Sequence, residues 1–158
     1  MRRIRVLLLL SVVFPVVAGE AEDKAAITQT VMNYVEGWYQ QDAEKMASAM
    51  HPKMAKFHVM KTRKAGDVVQ VTNPEQLTNF TDASREMVKD MPFKADITVL
   101  YQDERMAMVK LESLVFYDGI GLMKRNGEWN IVQVMWAFTE EAKTYWSKKE
   151  NKPLALAF

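Results

Sequence analysis

The 158-residue chain contains no cysteine, which excludes a disulfide framework, a thiolate metal site and lipid attachment through an N-terminal cysteine. The folded part must therefore be held by its core alone. Charge of one sign is also lacking, since 21 Lys and Arg stand against 20 Asp and Glu. No basic stripe with interleaved aromatics is present to bind nucleic acid. Short runs such as Lys61-Thr62-Arg63-Lys64 and Lys148-Lys149 read as solvated turn and tail charges. Internal repeats, low-complexity tracts and linkers are absent between residues 24 and 139, so one domain is expected.

The one long apolar run lies at the N-terminus. Arg2, Arg3 and Arg5 precede Val6 to Ala18, interrupted only by Ser11 and Pro15, which is the charged and apolar layout of a secretory signal peptide. The run falls short of the roughly 20 apolar residues a membrane-spanning helix needs. Residues 1–19 are therefore expected to be a signal peptide cut after Gly19, followed by a domain at 24–139 and a C-terminal extension at 140–158. Periplasmic or secreted localisation follows, with no membrane association after cleavage. Removal of the three arginines leaves 18 basic against 20 acidic residues, so the basic character of the full chain belongs mainly to the discarded peptide.

Periodicity supplies the rest. Ile27, Val31, Tyr34, Val35 and Trp38 recur at helical steps within Lys24 to Gln41, and Asp42 caps a second, shorter helix that His51-Pro52 is expected to end. Alternation over 54–63 and 68–72, around Ala65-Gly66-Asp67, predicts a hairpin with Phe57 and Val59 on one side and Lys56, His58 and Met60 on the other. Asn73-Pro74-Glu75 opens a third helix carrying Leu77, Phe80, Ala83, Met87 and Val88. Four strands follow, at 95–102, 106–117, 120–124 and 129–138, with turns at 102–105, at Tyr117-Asp118-Gly119 and at the Asn126-Gly127 signal.

This order predicts an α+β fold, an antiparallel sheet with helices gathered on one face. The longest strands are apolar on both sides. A sheet of that kind needs cover on both faces, so a homodimer through the outer face is expected.

Two segments carry a family resemblance: Tyr34-Val-Glu-Gly-Trp-Tyr-Gln-Gln-Asp42 running on to Met50-His51-Pro52, and Tyr117-Asp118 with Leu122-Met123-Lys124 and Asn126-Gly127-Glu128-Trp129-Asn-Ile131-Val132. Over about residues 24–139 the chain resembles the NTF2-like superfamily, in its exported bacterial SnoaL-like and lumazine-binding branch. The resemblance implies a cone, a curved antiparallel sheet wrapped around N-terminal helices to leave an internal pocket, dimeric through the outer sheet face. It implies no single reaction, because the superfamily mixes isomerases, cyclases and dehydratases with domains that have no known activity.

Tyr34 and Trp38 on the first helix, with Tyr101, Ser113, Tyr117 and Trp136 on strands, are the candidate lining of an apolar pocket with a few hydroxyls, suited to a flat or apolar small molecule. Filling the core is the competing role of these aromatics. Titratable groups facing the pocket are scarce in the pattern. Asp118 reads as a turn residue, and His51 and His58 as capping or solvent-facing. The cluster Met46, Met50, His51, Met54, His58 and Met60 has thioether and imidazole groups that suit copper(I) but no fixed ligand spacing, so no metal and no cofactor is expected. The sequence thus points to an exported, non-catalytic domain that binds a small apolar or aromatic ligand or acts as a dimeric interaction module. The alternative is a cofactor-independent SnoaL-like or isomerase-like enzyme.

Overall fold

The computed structural model describes residues 16–62, 64–84 and 91–144. The expected signal peptide up to Pro15, Met87 and Val88 of the third helix, and the tail from Tyr145 lie outside the described residues. Helix α1 runs over Val16–Gln40. Its apolar stripe, Ile27, Val31, Tyr34, Val35 and Trp38, is buried throughout, as the three-and-four spacing requires. Gln41 takes the left-handed conformation at φ 59°, and the Asp42 N–H bonds back to the Gly37 carbonyl at 2.8 Å. Asp42 then caps α2 (Ala43–Ala49) by accepting from the Lys45 N–H.

The corner between these helices is tight enough to need a glycine. A Cβ on Gly37 would lie 2.6 Å from the Met46 backbone nitrogen.

Helix α2 stops one residue earlier than the proline rule suggests, because Met50 is already extended and pairs with Ile131 as the first residue of β1 (Met50–Thr62). Pro52 is accommodated inside the strand. The β1 register shifts between Met50 and Ala55, which suits a residue without a ladder donor. Strand β2 (Gly66–Thr72) completes the hairpin, and α3 (Pro74–Ala83) opens with a reciprocal capping box between Asn73 and Gln76. Strands β3 (Ala95–Gln102), β4 (Met106–Ser113), β5 (Phe116–Arg125) and β6 (Glu128–Phe138) follow. The β5–β6 turn uses Asn126 and Gly127, both at positive φ, the pairing that a tight hairpin with right-handed twist favours.

The six strands form one sheet in the order β2-β1-β6-β5-β4-β3. Four pairings are antiparallel; β1 and β6 run parallel, so the sheet is mostly rather than wholly antiparallel. It curves around α1 in an α+β cone, and the core lies between them. Ile27 and Val31 of α1 are fully buried, as are Val109, Leu111, Ile120, Leu122, Ile131 and Val134 of the sheet.

The expected single strand from Met106 to Tyr117 is two strands with a bend at Leu114-Val115. Ser113 makes the bend: its hydroxyl oxygen accepts from the N–H groups of Val115 at 3.2 Å and Phe116 at 2.8 Å. Side-chain parity is broken there. Tyr117 therefore faces outward, and Asp118, expected in a turn, sits inside β5 with its side chain buried.

Candidate functional site

A cavity of about 270 Å³ opens between α1, α3, the β1–β2 hairpin and the concave sheet face. Tyr34 and Trp38 reach it from the buried stripe of α1, Leu77 and Phe80 from α3, and Phe116 and Trp136 from β5 and β6. The aromatic walls are interlocked edge to face, with Phe116 5.0 Å from Trp38 and 5.1 Å from Trp136 between ring centroids. Such pairs fix ring orientation beyond what area burial gives.

Two charged groups lie in this apolar setting. Lys56 of β1 is 6% exposed and Asp118 of β5 is 2% exposed. The Lys56 Nζ donates to Asp118 Oδ1 at 3.2 Å and to the Tyr34 phenol oxygen at 2.6 Å. It also lies 5.1 to 5.3 Å from the centroids of Tyr34, Phe116 and Trp136, a box of rings that replaces part of its lost hydration. Burial opposes the ammonium charge, but Asp118 and Tyr34 together outweigh it and hold the Lys56 pKa above its ordinary value. Burial pushes the Asp118 carboxyl up, with Lys56 offsetting part of the rise. Burial also pushes Tyr34 up to about 12, so its phenol keeps its proton.

Two residues farther along β1, His58 stacks on Trp136 with centroids 4.4 Å apart. Burial, then the neighbouring Lys56 charge, lowers its pKa, which leaves a neutral imidazole at neutral pH. Gln70, its cross-strand partner on β2, keeps its side-chain Oε1 buried without a donor among the described residues. An unpaired buried acceptor costs about 1–3 kcal/mol.

The family described as "Putative lumazine-binding" matches residues 22–137. The chain belongs to this family. No curated protein matches it. Among solved structures, an NTF-2 like protein of unknown function from Silicibacter pomeroyi is similar at TM-score 0.60 and 15% identity, over 76% of this chain and 98% of that one. An NTF2-like protein of unknown function from Methylobacillus flagellatus aligns at TM-score 0.58 and 18% identity, over 75% and 93%. A structure named as a putative scytalone dehydratase, from Novosphingobium aromaticivorans, aligns at TM-score 0.54 and 11% identity, over 78% and 88%. At these identities the likeness establishes the NTF2-like fold.

Within this lumazine-binding family domain, three of the six sequence-derived lining residues meet at the cavity: Tyr34, Trp38 and Trp136. The other three are elsewhere. Tyr101 is 48% exposed, turned out by the register shift between Val99 and Tyr101, and its hydroxyl donates to Asp103 Oδ2. Tyr117 is on the outer face beyond the β4–β5 bend, and Ser113 is spent in making that bend. The residues that sequence reasoning placed in solvent or in a turn, Lys56, His58 and Asp118, are among the polar groups of the cavity. Of the Met and His cluster, Met46, Met50 and Met54 are core residues, Met46 and His58 both line the cavity, the Met46 sulfur accepts from the Thr81 hydroxyl, and His51 Nδ1 accepts from the Lys53 N–H.

The missed signal was the shared parity of Met54, Lys56 and His58. Met54 is a core position, so its face of β1 is the inner one.

Proposed function

We propose that this domain is an exported binding protein that holds a small planar aromatic or heteroaromatic molecule in the cone. The observation that carries the reading is the cavity itself: about 270 Å³, walled by interlocked rings, with a few polar groups, the Lys56–Asp118–Tyr34 cluster and a rim of His58, Gln70, Thr72 and Gln76. Pockets that are mostly apolar with a few placed polar groups are the usual form of small-molecule sites. The family description supports a ligand of the lumazine type, a flat bicyclic ring system. No described helix is long and apolar enough to cross a membrane. Export rests on the N-terminal pattern, and α1 is tied to the sheet from Glu20 onward, where its carbonyl accepts from Gln102.

The test is a thermal-shift and calorimetric screen of flat bicyclic compounds on the chain lacking residues 1–19. A true ligand raises the melting temperature in step with its concentration. Trp136→Leu, which removes one wall, weakens that ligand by about tenfold, the loss of roughly 1.4 kcal/mol of contact. A screen without a saturable binder, or a binder indifferent to Trp136→Leu, overturns the reading.

A proton-transfer enzyme acting on a carbonyl compound is the second reading. Its support is the neutral His58 imidazole two residues from the Lys56 donor, a base beside a group able to polarise a carbonyl. Exchange of a bound ketone's α-hydrogens for deuterium, faster than in buffer and lost in His58→Gln, would establish it.

A further inference from the structure

The charge balance and the donor inventory of the cavity define the ligand more narrowly, given that the cavity binds a planar molecule at all. Lys56 and Asp118 are opposite charges 3.2 Å apart with side chains 7% and 2% exposed. They neutralise each other inside an apolar shell, so an incoming anion would add an uncompensated negative charge and compete with Asp118 for the single ammonium. An incoming cation would be equally uncompensated, because Lys56 already occupies the ring box.

The phenol of Tyr34 supplies the complementary half. Its oxygen accepts from Lys56 at 2.6 Å, which leaves the phenol's own O–H to be donated elsewhere, and no acceptor for it is found among the described residues. With its pKa pushed up to about 12, that O–H stays a donor over the whole physiological range. A buried hydroxyl donor without a partner calls for an acceptor, and Tyr34 lines the cavity.

We propose that the cavity selects uncharged planar ligands bearing a hydrogen-bond acceptor, a ring carbonyl or ring nitrogen, and that Tyr34 is the residue that reads it. Lys56 and Asp118 are positioning residues. Lys56 fixes the phenol oxygen, and Asp118 holds Lys56. The ligand class is thus a neutral lactam, ring ketone or aza-aromatic, and the matching aromatic carboxylate is rejected although a lysine lies within the site.

The experiment uses three bicyclic probes of similar size: 2-quinolone, naphthalene and 2-naphthoate. Calorimetry on the wild-type chain lacking residues 1–19 should rank 2-quinolone about tenfold tighter than naphthalene, the worth of one net hydrogen bond, with 2-naphthoate weakest. In Tyr34→Phe the ratio of quinolone to naphthalene affinity falls to about one. A purely structural role for Tyr34 would lower both affinities together and preserve the ratio, which would overturn the proposal. Equal binding of quinolone and naphthalene by the wild type would overturn it too, as would 2-naphthoate binding more tightly than either; these comparisons need no variant. Failure of all three probes to bind would overturn the cavity-binding reading itself, a result distinct from naphthalene binding without discrimination.

Discussion

Lys56 is the residue whose removal says most about the site. Truncating one member of a buried ion pair leaves the other charged and unpaired, which costs about 3–5 kcal/mol, whereas replacing both by apolar groups is often neutral. Lys56→Met is therefore expected to lower unfolding free energy by about 3–5 kcal/mol, and Lys56→Met with Asp118→Leu to recover most of that loss, both read from urea midpoints. If the double variant is as unstable as the single one, Asp118 is not the partner that matters. His58 makes a prediction in pH. Its pKa is lowered from the ordinary 6.5 by burial and by Lys56, and it shares the cavity wall with Tyr34, Gln70, Thr72, Gln76 and Asp118. The unfolded chain takes up the proton first. Stability is thus fully present above about pH 6.5 and declines as pH falls through the folded-state value. Melting temperature measured from pH 7.5 to 5 should drop less steeply in His58→Gln than in the wild type. Asp23, lowered from 3.8 mainly by its hydrogen bond with Lys124, contributes in a separate window near and below pH 4.

At the scale of elements, the α1–α2 corner sets where Tyr34 and Trp38 enter the cavity. Gly37→Ala gains about 1 kcal/mol of helix propensity, but its Cβ would lie 2.6 Å from a backbone atom of Met46. A backbone neighbour cannot swing aside, so the steric cost of about 1–3 kcal/mol or more decides the sign. Thermal denaturation should show Gly37→Ala less stable than wild type; an unchanged or higher melting temperature would mean that the two helices part freely. The elements were largely legible because their signals are local: the stripe of α1, the Asn73–Gln76 box, the Asn126-Gly127 turn. One boundary was not. Ser113 uses its hydroxyl to bend the chain in the middle of an apolar run, with no glycine or proline to mark it, and everything after it changes face. The site suffered most from this, since Asp118 lies just beyond the bend. Lys56 and His58 were obscured for a different reason. Phe57 and Val59, on the outer face of the same strand, are as apolar as an inner face should be, so alternation alone reads the strand backwards.

That ambiguity is itself informative at the scale of the whole molecule. The outer sheet face carries Val59 and Val69, each 65% exposed, with Val71, Met135, Tyr117 and Met123 also exposed. In register, Val71, Phe57, Met135 and Gly119 form one row across β2, β1, β6 and β5. Charge borders the patch: Lys110, paired with Glu112, continues this row on β4 beside Gly119, and Lys61 faces Asp67 beyond Val59 and Val69 on β1 and β2. A contiguous apolar patch on a sheet is more than scattered exposure explains, and a second copy of the same face is the simplest partner, since twofold contact requires only self-complementarity. We therefore expect a homodimer centred on Met135. Sedimentation of the chain lacking residues 1–19 at micromolar concentration should give twice the chain mass, and Met135→Lys, which sets two ammonium groups near the twofold axis, should give the monomer with the cavity ligand still bound. A wild type that sediments only as monomer removes the dimer from the account. The two results are separable because the cavity and the patch lie on opposite faces of one sheet: binding tests the inward side chains of β1 and β6, and assembly tests the outward ones.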